Sequence, residues 1–189
     1  RLARIVEASL RELSMPEARF EVALEPVEGL GDLPCGPHGA ERPIFCFSAD
    51  AGTPPRPLRR VASGGELSRA FLAIKNALRE SDAGMVLVFD EVDAGIGGRA
   101  ADRVGRKLAE LAVCHQVLCI THLPQIAAYA STHFRVEKLS PGDGAQARII
   151  AVEGADRVEE IARMAGGESI GEATRRHARD LLSARAGYP

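Results

Sequence analysis

The chain of 189 residues is long enough for one domain with a packed core or for a substantial part of a larger one, and its 46% hydrophobic and 26% charged residues are ordinary for a soluble globular protein. No apolar run approaches the roughly 20 residues that span a bilayer, which excludes a membrane-spanning helix. The formal net charge of −2 argues against a dedicated nucleic-acid-binding module, although Arg56, Arg59 and Arg60 could form a local basic strip. Because the chain begins at Arg1, with neither a methionine nor a signal-peptide pattern, we expect a fragment of a longer protein.

The first third of the chain predicts one helix and two short strands. Residues 1–14 form an apolar stripe at helical spacing, and residues 19–25 alternate between apolar and polar side chains as a half-buried strand does. Residues 26–39 are rich in glycine and proline and indicate a loop or a long hairpin connection. A second short strand is predicted at residues 44–47, and an irregular, proline-rich segment at residues 52–57.

The middle of the chain predicts a strand–helix–strand unit. A helix begins near Glu66, and residues 85–89 form a continuous apolar run, which is typical of a strand buried on both faces of a parallel sheet. A helix over residues 99–113 and a second buried strand over residues 116–121 follow. This order favours an α/β fold with a parallel sheet.

The C-terminal third predicts one strand and two helices. The strand covers residues 148–152, and the helices cover residues 158–165 and 170–183. Gly166 and Gly167 separate the two helices.

Cysteine usage indicates a reducing, cytosolic compartment. None of Cys35, Cys46, Cys114 and Cys119 follows another at C-x-x-C spacing, and two of them lie in apolar segments, which predicts buried thiols. A metal-binding pair formed by Cys114 and His115 is the weaker alternative.

Two carboxylates, Asp90 and Glu91, follow the first predicted parallel strand at its carboxyl end, the edge where open α/β sheets bind ligands. The first can hold Mg²⁺ directly or through water, and the second can orient and polarise an attacking water. A strand that simply ends in solvated acids is the alternative.

Ser63, Gly64 and Gly65 precede the helix that begins near Glu66. Glycines let the backbone approach an anion closely, and the free N–H groups at a helix start point outward, so this segment predicts an anion site. An ordinary serine N-cap is the alternative, and it is favoured for the segment in isolation.

His122 follows the second predicted parallel strand, which places it on the same sheet edge as Asp90 and Glu91. A histidine there can donate to a phosphate oxygen or position the attacking water, whereas a capping or loop histidine is the alternative. The other four histidines are interpreted as structural or solvated: His38, His115, His133 and His177.

A competing motif lies at Gly95-Ile96-Gly97-Gly98-Arg99-Ala100, which matches the dinucleotide-binding pattern G-x-G-x-x-A. In that pattern the glycines form the turn directly after a strand. Here Asp90 to Ala94 intervene, and their carboxylates would repel a pyrophosphate that lacks a metal, so the sequence disfavours this interpretation.

The order Ser63-Gly64-Gly65-Glu66, then Asp90-Glu91, then His122 resembles the signature, Walker B and H-loop succession of ABC-type ATPases. The phosphate-binding loop G-x-x-x-x-G-K-[ST] of such enzymes is absent, because no Gly-Lys pair occurs in the chain. Five segments closely resemble the RecN family of bacterial, SMC-like ATPases of double-strand-break repair: residues 13–20, 61–69, 89–98, 121–127 and 160–167.

The resemblance implies the C-terminal portion of an ABC-type P-loop ATPase head, in which a parallel sheet is flanked by helices and joined to a small β lobe. Residues 1–14 would be the end of a coiled-coil helix, residues 15–60 the β lobe with its connecting loops, and residues 61–189 the portion that carries the signature helix, the Walker B strand and the H-loop. The N-terminal half of the same head, which carries the Walker A loop, would be the first partner.

For the site, the resemblance implies two ATP molecules sandwiched between two heads of a homodimer. Ser63, Gly64, Gly65 and Glu66 would serve the nucleotide bound by the partner head. Asp90 with Mg²⁺, together with the catalytic Glu91 and His122, would serve the nucleotide of their own head. Gly97 stands where SMC relatives usually carry the D-loop aspartate, so the contact of that aspartate is not carried over.

For function, the resemblance implies ATP hydrolysis coupled to DNA repair and recombination, with double-stranded DNA and its ends as the partner, in the bacterial cytoplasm at the nucleoid and without a membrane. Two alternatives remain open at this point. One is a fragment of an ABC transporter ATPase subunit, and the other is a non-catalytic dimerisation module.

Overall fold

The computed structural model describes residues 1–27, 35–79, 81, 83–138, 146–167 and 170–187. Six helices and seven strands have the following bounds in these parts of the chain: α1 Leu2–Glu12, β1 Arg19–Pro26, β2 Glu41–Ser48, β3 Arg56–Pro57, α2 Gly64–Leu78, β4 Val86–Phe89, α3 Gly98–Ala112, β5 Gln116–Cys119, α4 Pro124–Ala127, β6 His133–Lys138, β7 Ala147–Val152, α5 Gly154–Gly166 and α6 Glu172–Ser183. A single 3-10 turn, Leu58–Arg60, precedes α2.

The first three strands form an antiparallel β lobe in the order β1-β2-β3. Its buried end pairs Phe20 with Phe47, and both side chains join α1 in the main core. Both predicted strands are confirmed, and β2 is longer than expected. β1 runs on through Pro26, residues 28–34 of the predicted loop lie outside the described residues, and part of the segment 52–57 forms β3.

The strand–helix–strand unit is confirmed: β4 and β5 pair in parallel, with Phe89 opposite Cys119, and α3 connects them. Leu87 and Phe89 pack into the core with α2 and α3. The expectation that this strand is buried on both faces is wrong, because Val86 and Val88 are each 61% exposed. Helices of the described chain cover one face of this pair of strands, and the opposite face remains an apolar surface that includes Ile120.

The C-terminal third adds a β6–β7 hairpin and two helices around a second, smaller core. β7 and both helices were predicted, but α5 begins at Gly154 rather than at residue 158. Gly167, with a φ of +68°, ends α5 and donates its N–H to the Arg163 carbonyl. β6 was not predicted, although its alternating exposure is a period-two pattern.

None of the helices that the structure describes is long and apolar enough to cross a membrane. All four cysteines are free, and Cys46 is buried as predicted, whereas Cys119 is only partly buried. Burial, and then the negative charges of Asp93 and Asp90, raise the pKa of the Cys119 thiol to about 12, so the thiol stays protonated near neutral pH.

Candidate nucleotide site

The signature segment opens α2 with Ser63 as its N-cap. The Ser63 Oγ accepts a hydrogen bond from the Glu66 N–H at 3.5 Å, at the long limit of such bonds. The ordinary N-cap that the sequence offered as an alternative is therefore present, but it is weak. An N-cap and an anion site both use the free N–H groups of the first helical turn, so the same geometry serves either role.

The two signature glycines are packed against the loop that follows β4. A Cβ added at Gly64 would overlap the Glu91 Oε2 atom, and a Cβ at Gly65 would lie 2.7 Å from the Ala94 Cβ and 3.0 Å from the Glu91 carbonyl oxygen. At position 65 only glycine allows this approach, whereas at position 64 the overlapping atom is the end of a flexible side chain. The structure therefore brings both glycines of this segment into contact with the loop that carries Glu91.

The backbone of Glu91 is itself unusual. Its φ of +55° is left-handed, a conformation that costs free energy for any residue other than glycine and that is concentrated at functional sites. The Glu91 N–H donates to the Asp90 Oδ1 at 2.9 Å, and the Ala94 N–H donates to the Glu91 carbonyl at 3.0 Å. This turn directs the carboxylate of Glu91 toward the start of α2, and both acidic residues remain exposed.

Two side chains of α2 that the sequence analysis did not single out hold the same loop. The Ser68 Oγ donates to the Asp90 carbonyl at 2.7 Å, and the Arg69 Nη1 donates to the Ala94 carbonyl at 2.8 Å and to the Val92 carbonyl at 3.4 Å. Arg69 is only 7% exposed. Burial lowers the pKa of its guanidinium, and the nearby Glu66 opposes that shift.

Helical spacing could have flagged Arg69. It lies four residues after Gly65, on the buried stripe of α2, where a charged side chain needs a partner. The sequence did not reveal that its partners would be backbone carbonyls of a loop more than 20 residues away, because carbonyls carry no residue-specific signal.

His122 lies at the carboxyl edge of β5, beside the loop that follows β4, as predicted. Its side chain is 73% exposed, and its Nδ1 lies 3.0 Å from the Oδ2 of Asp93, whose side chain is 6% exposed. The same oxygen accepts hydrogen bonds from the His122 backbone N–H at 3.0 Å and from the Thr121 Oγ1 at 2.5 Å. Asp93 is a third residue of the site that the sequence analysis did not single out, although it is the last acid of the segment Asp90-Glu91-Val92-Asp93.

The structure gives less support to the dinucleotide-like glycine pattern and to the metal pair of Cys114 and His115. β4 ends at Phe89 and α3 begins only at Gly98, so the glycines of the dinucleotide-like pattern do not form the turn directly after the strand. His115 is buried, and its Nδ1 accepts from the Met85 N–H, which agrees with a structural role. No group of three or more His, Cys, Asp or Glu side chains with metal-site geometry occurs within the described ranges.

Similarity to known proteins agrees with these motifs. The chain is 49% identical over 174 residues to the DNA repair protein RecN of Xylella fastidiosa strain 9a5c, 43% identical over 182 residues to that of Treponema pallidum and 41% identical over 194 residues to that of Streptomyces coelicolor. These alignments cover 92%, 96% and 98% of this chain, in that order of organisms, but only 30%, 32% and 34% of the relatives. The chain thus spans about a third of their length. No protein-family model matches it.

Similarity to solved structures identifies the fold. A head-domain structure of Smc with a coiled coil and joint, derived from Pyrococcus yayanosii, superposes with a TM-score of 0.53 at 20% identity and covers 85% of this chain and 28% of its own. A chain from work on the ATP-driven dimerisation and DNA-stimulated activation of SMC ATPases gives a TM-score of 0.50 at 17% identity, with coverages of 89% and 93%. The RecN matches also count against the transporter alternative. By sequence this chain is similar to about a third of the length of RecN proteins, and by fold it is similar to the head domain of Smc proteins.

Proposed function

We propose that this chain supplies one half of an ATP-hydrolysing head that acts in DNA double-strand-break repair and recombination. The observation that carries the proposal is the convergence of Gly64, Glu91 and His122 on one edge of the β4–β5 sheet, through the loop that follows β4. The relatives' designation as DNA repair proteins and the SMC-type fold support it.

The residues at this edge fit Mg²⁺ and ATP. Asp90 and Glu91 are exposed oxygen donors at a sheet edge, and Mg²⁺ is usually bound through one or two carboxylates together with phosphates and water. When bound, Mg²⁺ would supply neutralisation of the phosphate charge. In our proposal Asp90 holds the ion, Glu91 acts as the base toward the attacking water, and His122 contacts the reacting groups.

We assign Ser63, Gly64, Gly65 and Glu66 to the nucleotide held by a second head. The N-cap hydrogen bond at Ser63 is weak, and the N–H groups of a first helical turn favour an anion. A homodimer of heads with ATP between them would place these groups on the γ-phosphate of the partner's nucleotide.

The missing phosphate-binding loop belongs, in this proposal, to the N-terminal half of the same head. The exposed face of β4 and β5 offers an apolar surface for it, with Val86, Val88 and Ile120 as examples. A groove of about 430 Å³, lined in part by Leu67 and Phe71, borders this face. Apolar surface of this kind is stabilised when another segment covers it.

We further propose that ATP-dependent dimerisation of the heads drives the binding or tethering of double-stranded DNA, with ends as the preferred target. For the complete protein we propose a cytoplasmic, nucleoid-associated location. A non-catalytic dimerisation module is the competing function for the isolated chain, since it carries no phosphate-binding loop.

Reconstitution tests the half-site proposal. The chain is mixed with the N-terminal segment of the same protein, and ATP hydrolysis is measured for each part and for the mixture. We expect turnover only in the mixture. Hydrolysis by the chain alone, at the rate of the complete head, would contradict the proposal, and a mixture that dimerises without turnover would favour the dimerisation module.

Substitution of Glu91 tests the assignment of the base. In the complete protein, Glu91→Gln should retain ATP binding and head dimerisation but lower kcat by about 100-fold or more, because general-base catalysis contributes roughly 10² to 10⁴ in rate. Asp156→Asn on α5, an exposed acid remote in sequence from the motifs, is the matched control and should hydrolyse ATP normally. An unchanged kcat for Glu91→Gln would remove Glu91 from this role.

A further inference from the structure

Three groups lie around a single oxygen of the Asp93 side chain. Its Oδ2 accepts hydrogen bonds from the Thr121 hydroxyl at 2.5 Å and from the His122 backbone N–H at 3.0 Å, and the His122 imidazole Nδ1 lies 3.0 Å from the same oxygen. A carboxylate has no hydrogen to give, so this short contact between Nδ1 and Oδ2 is favourable only when Nδ1 carries a hydrogen.

That requirement fixes the chemistry of the other ring nitrogen. In a neutral imidazole with hydrogen on Nδ1, Nε2 bears a lone pair and acts as an acceptor. Such a ring accepts a hydrogen bond from water, and it can donate to a phosphate oxygen only after taking up a second proton. The exposed ring of His122 would otherwise rotate freely and sample both tautomers.

We propose that Asp93 is a positioning residue for ATP hydrolysis: it fixes the orientation and the tautomer of His122, so that Nε2 accepts a hydrogen bond from the attacking water. This inference rests on the function proposed above, since it assigns His122 to a hydrolytic site. Asp93 itself is buried and touches no substrate in this scheme. It acts through His122, much as a carboxylate orients the imidazole of a catalytic triad.

Asp93 also has a structural task that the test must separate from this one. The Thr121 Oγ1, which donates to Asp93, accepts from the Leu123 N–H at 3.0 Å, so the carboxylate helps to hold the turn into α4. A variant that lacks the acceptor altogether could lose activity merely because this turn rearranges. Asp93→Asn avoids the difficulty, because the amide oxygen can still accept from the Thr121 hydroxyl and the His122 backbone N–H, whereas the negative charge that favours a hydrogen on Nδ1 is lost.

The first measurement is the ¹⁵N spectrum of the histidine side chains in the complete protein near neutral pH and without nucleotide. The signals of His122 are assigned by their loss in His122→Ala. We expect the hydrogen of the His122 ring to lie on Nδ1 rather than on Nε2, and a weaker preference for that tautomer in Asp93→Asn. A His122 ring that is mainly protonated at Nε2 in the unsubstituted protein would overturn the inference.

The second measurement is steady-state ATP hydrolysis by the same proteins. Asp93→Asn should lower kcat by about 10- to 100-fold, the usual cost of losing a group that orients an active-site histidine, with little change in the KM for ATP. The control Asp156→Asn removes an exposed carboxylate and should leave kcat and the tautomer of His122 unchanged.

A double-mutant cycle separates positioning from scaffolding. If Asp93 acts through His122, Asp93→Asn should cost little further activity in a protein that already carries His122→Ala. Equal fold losses in the presence and absence of His122 would assign Asp93 a structural role and overturn the inference.

Failure of the inference is distinguishable from failure of the proposed function. If Glu91→Gln lowers kcat while Asp93→Asn changes neither kcat nor the tautomer, the ATPase proposal stands and the role of Asp93 does not. If Glu91→Gln has no effect on turnover, the proposed site fails, and the tautomer of His122 still reports the contact with Asp93 independently.

Discussion

The loop that follows β4, residues 90–94, is held from two sides by different chemistry. From the side of α2, Ser68 and Arg69 donate to backbone carbonyls of the loop. From the side of β5, backbone and side-chain groups donate to the carboxylate of Asp93. The first attachment is insensitive to which side chains the loop carries, whereas the second requires a carboxylate at one position.

This difference indicates that the two attachments of the loop have different roles in the proposed dimer. α2 carries the signature glycines assigned to the partner's nucleotide, and the loop carries Asp90 and Glu91, which are assigned to the nucleotide of their own head. The hydrogen bonds of Ser68 and Arg69 therefore join the two proposed ATP sites within one chain. The Asp93 side instead acts on one catalytic side chain, so its loss should affect chemistry more than the position of the loop.

The largest loss of stability is expected on the α2 side, from Arg69→Met in the complete head. Hydrogen bonds from charged donors contribute about 1.5 to 3 kcal/mol each, and the apolar replacement recovers part of this because it removes a buried charge, so we expect a loss of about 2 kcal/mol in the free energy of unfolding. Urea denaturation measures it. Arg69→Lys should not restore stability fully, because the lysine nitrogen lies one bond closer to the backbone than the Arg69 Nη1 atom that donates to both carbonyls.

The exposed Arg103→Met on α3 is the matched control and should lie within about 0.5 kcal/mol of the unsubstituted protein. If Arg69→Met were as mild as this control, the α2 side would not hold the loop in the way that the hydrogen bonds indicate.

The two signature glycines offer the next comparison, because their neighbours differ. An added Cβ at Gly65 meets the Ala94 side chain and the Glu91 backbone, which cannot move easily, so Gly65→Ala should destabilise the complete head by about 1 to 2 kcal/mol. An added Cβ at Gly64 meets only the end of the flexible Glu91 side chain, so Gly64→Ala should cost less than about 0.5 kcal/mol.

The rate of ATP hydrolysis should distinguish Gly64→Ala from Gly65→Ala in a different way from stability. Gly64→Ala displaces the Glu91 carboxylate and should lower kcat well beyond its small effect on stability, as measured by ATP hydrolysis beside urea denaturation. Equal stability losses for the two variants would show that the loop yields as readily at its backbone as at the Glu91 side chain.

Much of this arrangement was predictable from the sequence, for definite reasons. Local patterns predicted α2, the β4–α3–β5 unit and the sheet edge that carries Asp90, Glu91 and His122, because periodicity and strand ends are local properties. One feature was not predictable in this way: the exposed face of β4 reflects what covers the strand, which its apolar composition does not specify. β6 was missed although its alternation is the local pattern of a strand.

The roles of Arg69 and Asp93 escaped prediction for a related reason. Both are polar residues inside motif segments, and both are buried by contacts between segments more than 20 residues apart in the chain. A sequence pattern indicates that a buried charge needs a partner, but the partner is determined by tertiary packing. The hydrogen bonds that hold the loop from both sides are therefore apparent only in the tertiary structure, where α2, the loop and β5 lie together.

On the β5 side, a smaller effect than that of Arg69→Met is expected from Thr121→Val. This change removes the hydroxyl that donates to Asp93 and accepts from the Leu123 N–H, but it leaves the His122 backbone hydrogen bond and the contact of the His122 Nδ1 with Asp93. We expect a loss of about 1 kcal/mol in the free energy of unfolding of the complete head, a typical value for one hydroxyl that participates in hydrogen bonds of this kind. Thr121→Ser retains the hydroxyl and should recover most of that loss.

Because both contacts of His122 with Asp93 persist in Thr121→Val, the Nδ1-protonated tautomer should persist as well in the ¹⁵N spectrum of this variant. A change of tautomer in this variant would mean that Thr121, and not the carboxylate alone, sets the orientation of the ring. The β5 side of the loop would then act on His122 through the whole turn into α4 rather than through one carboxylate.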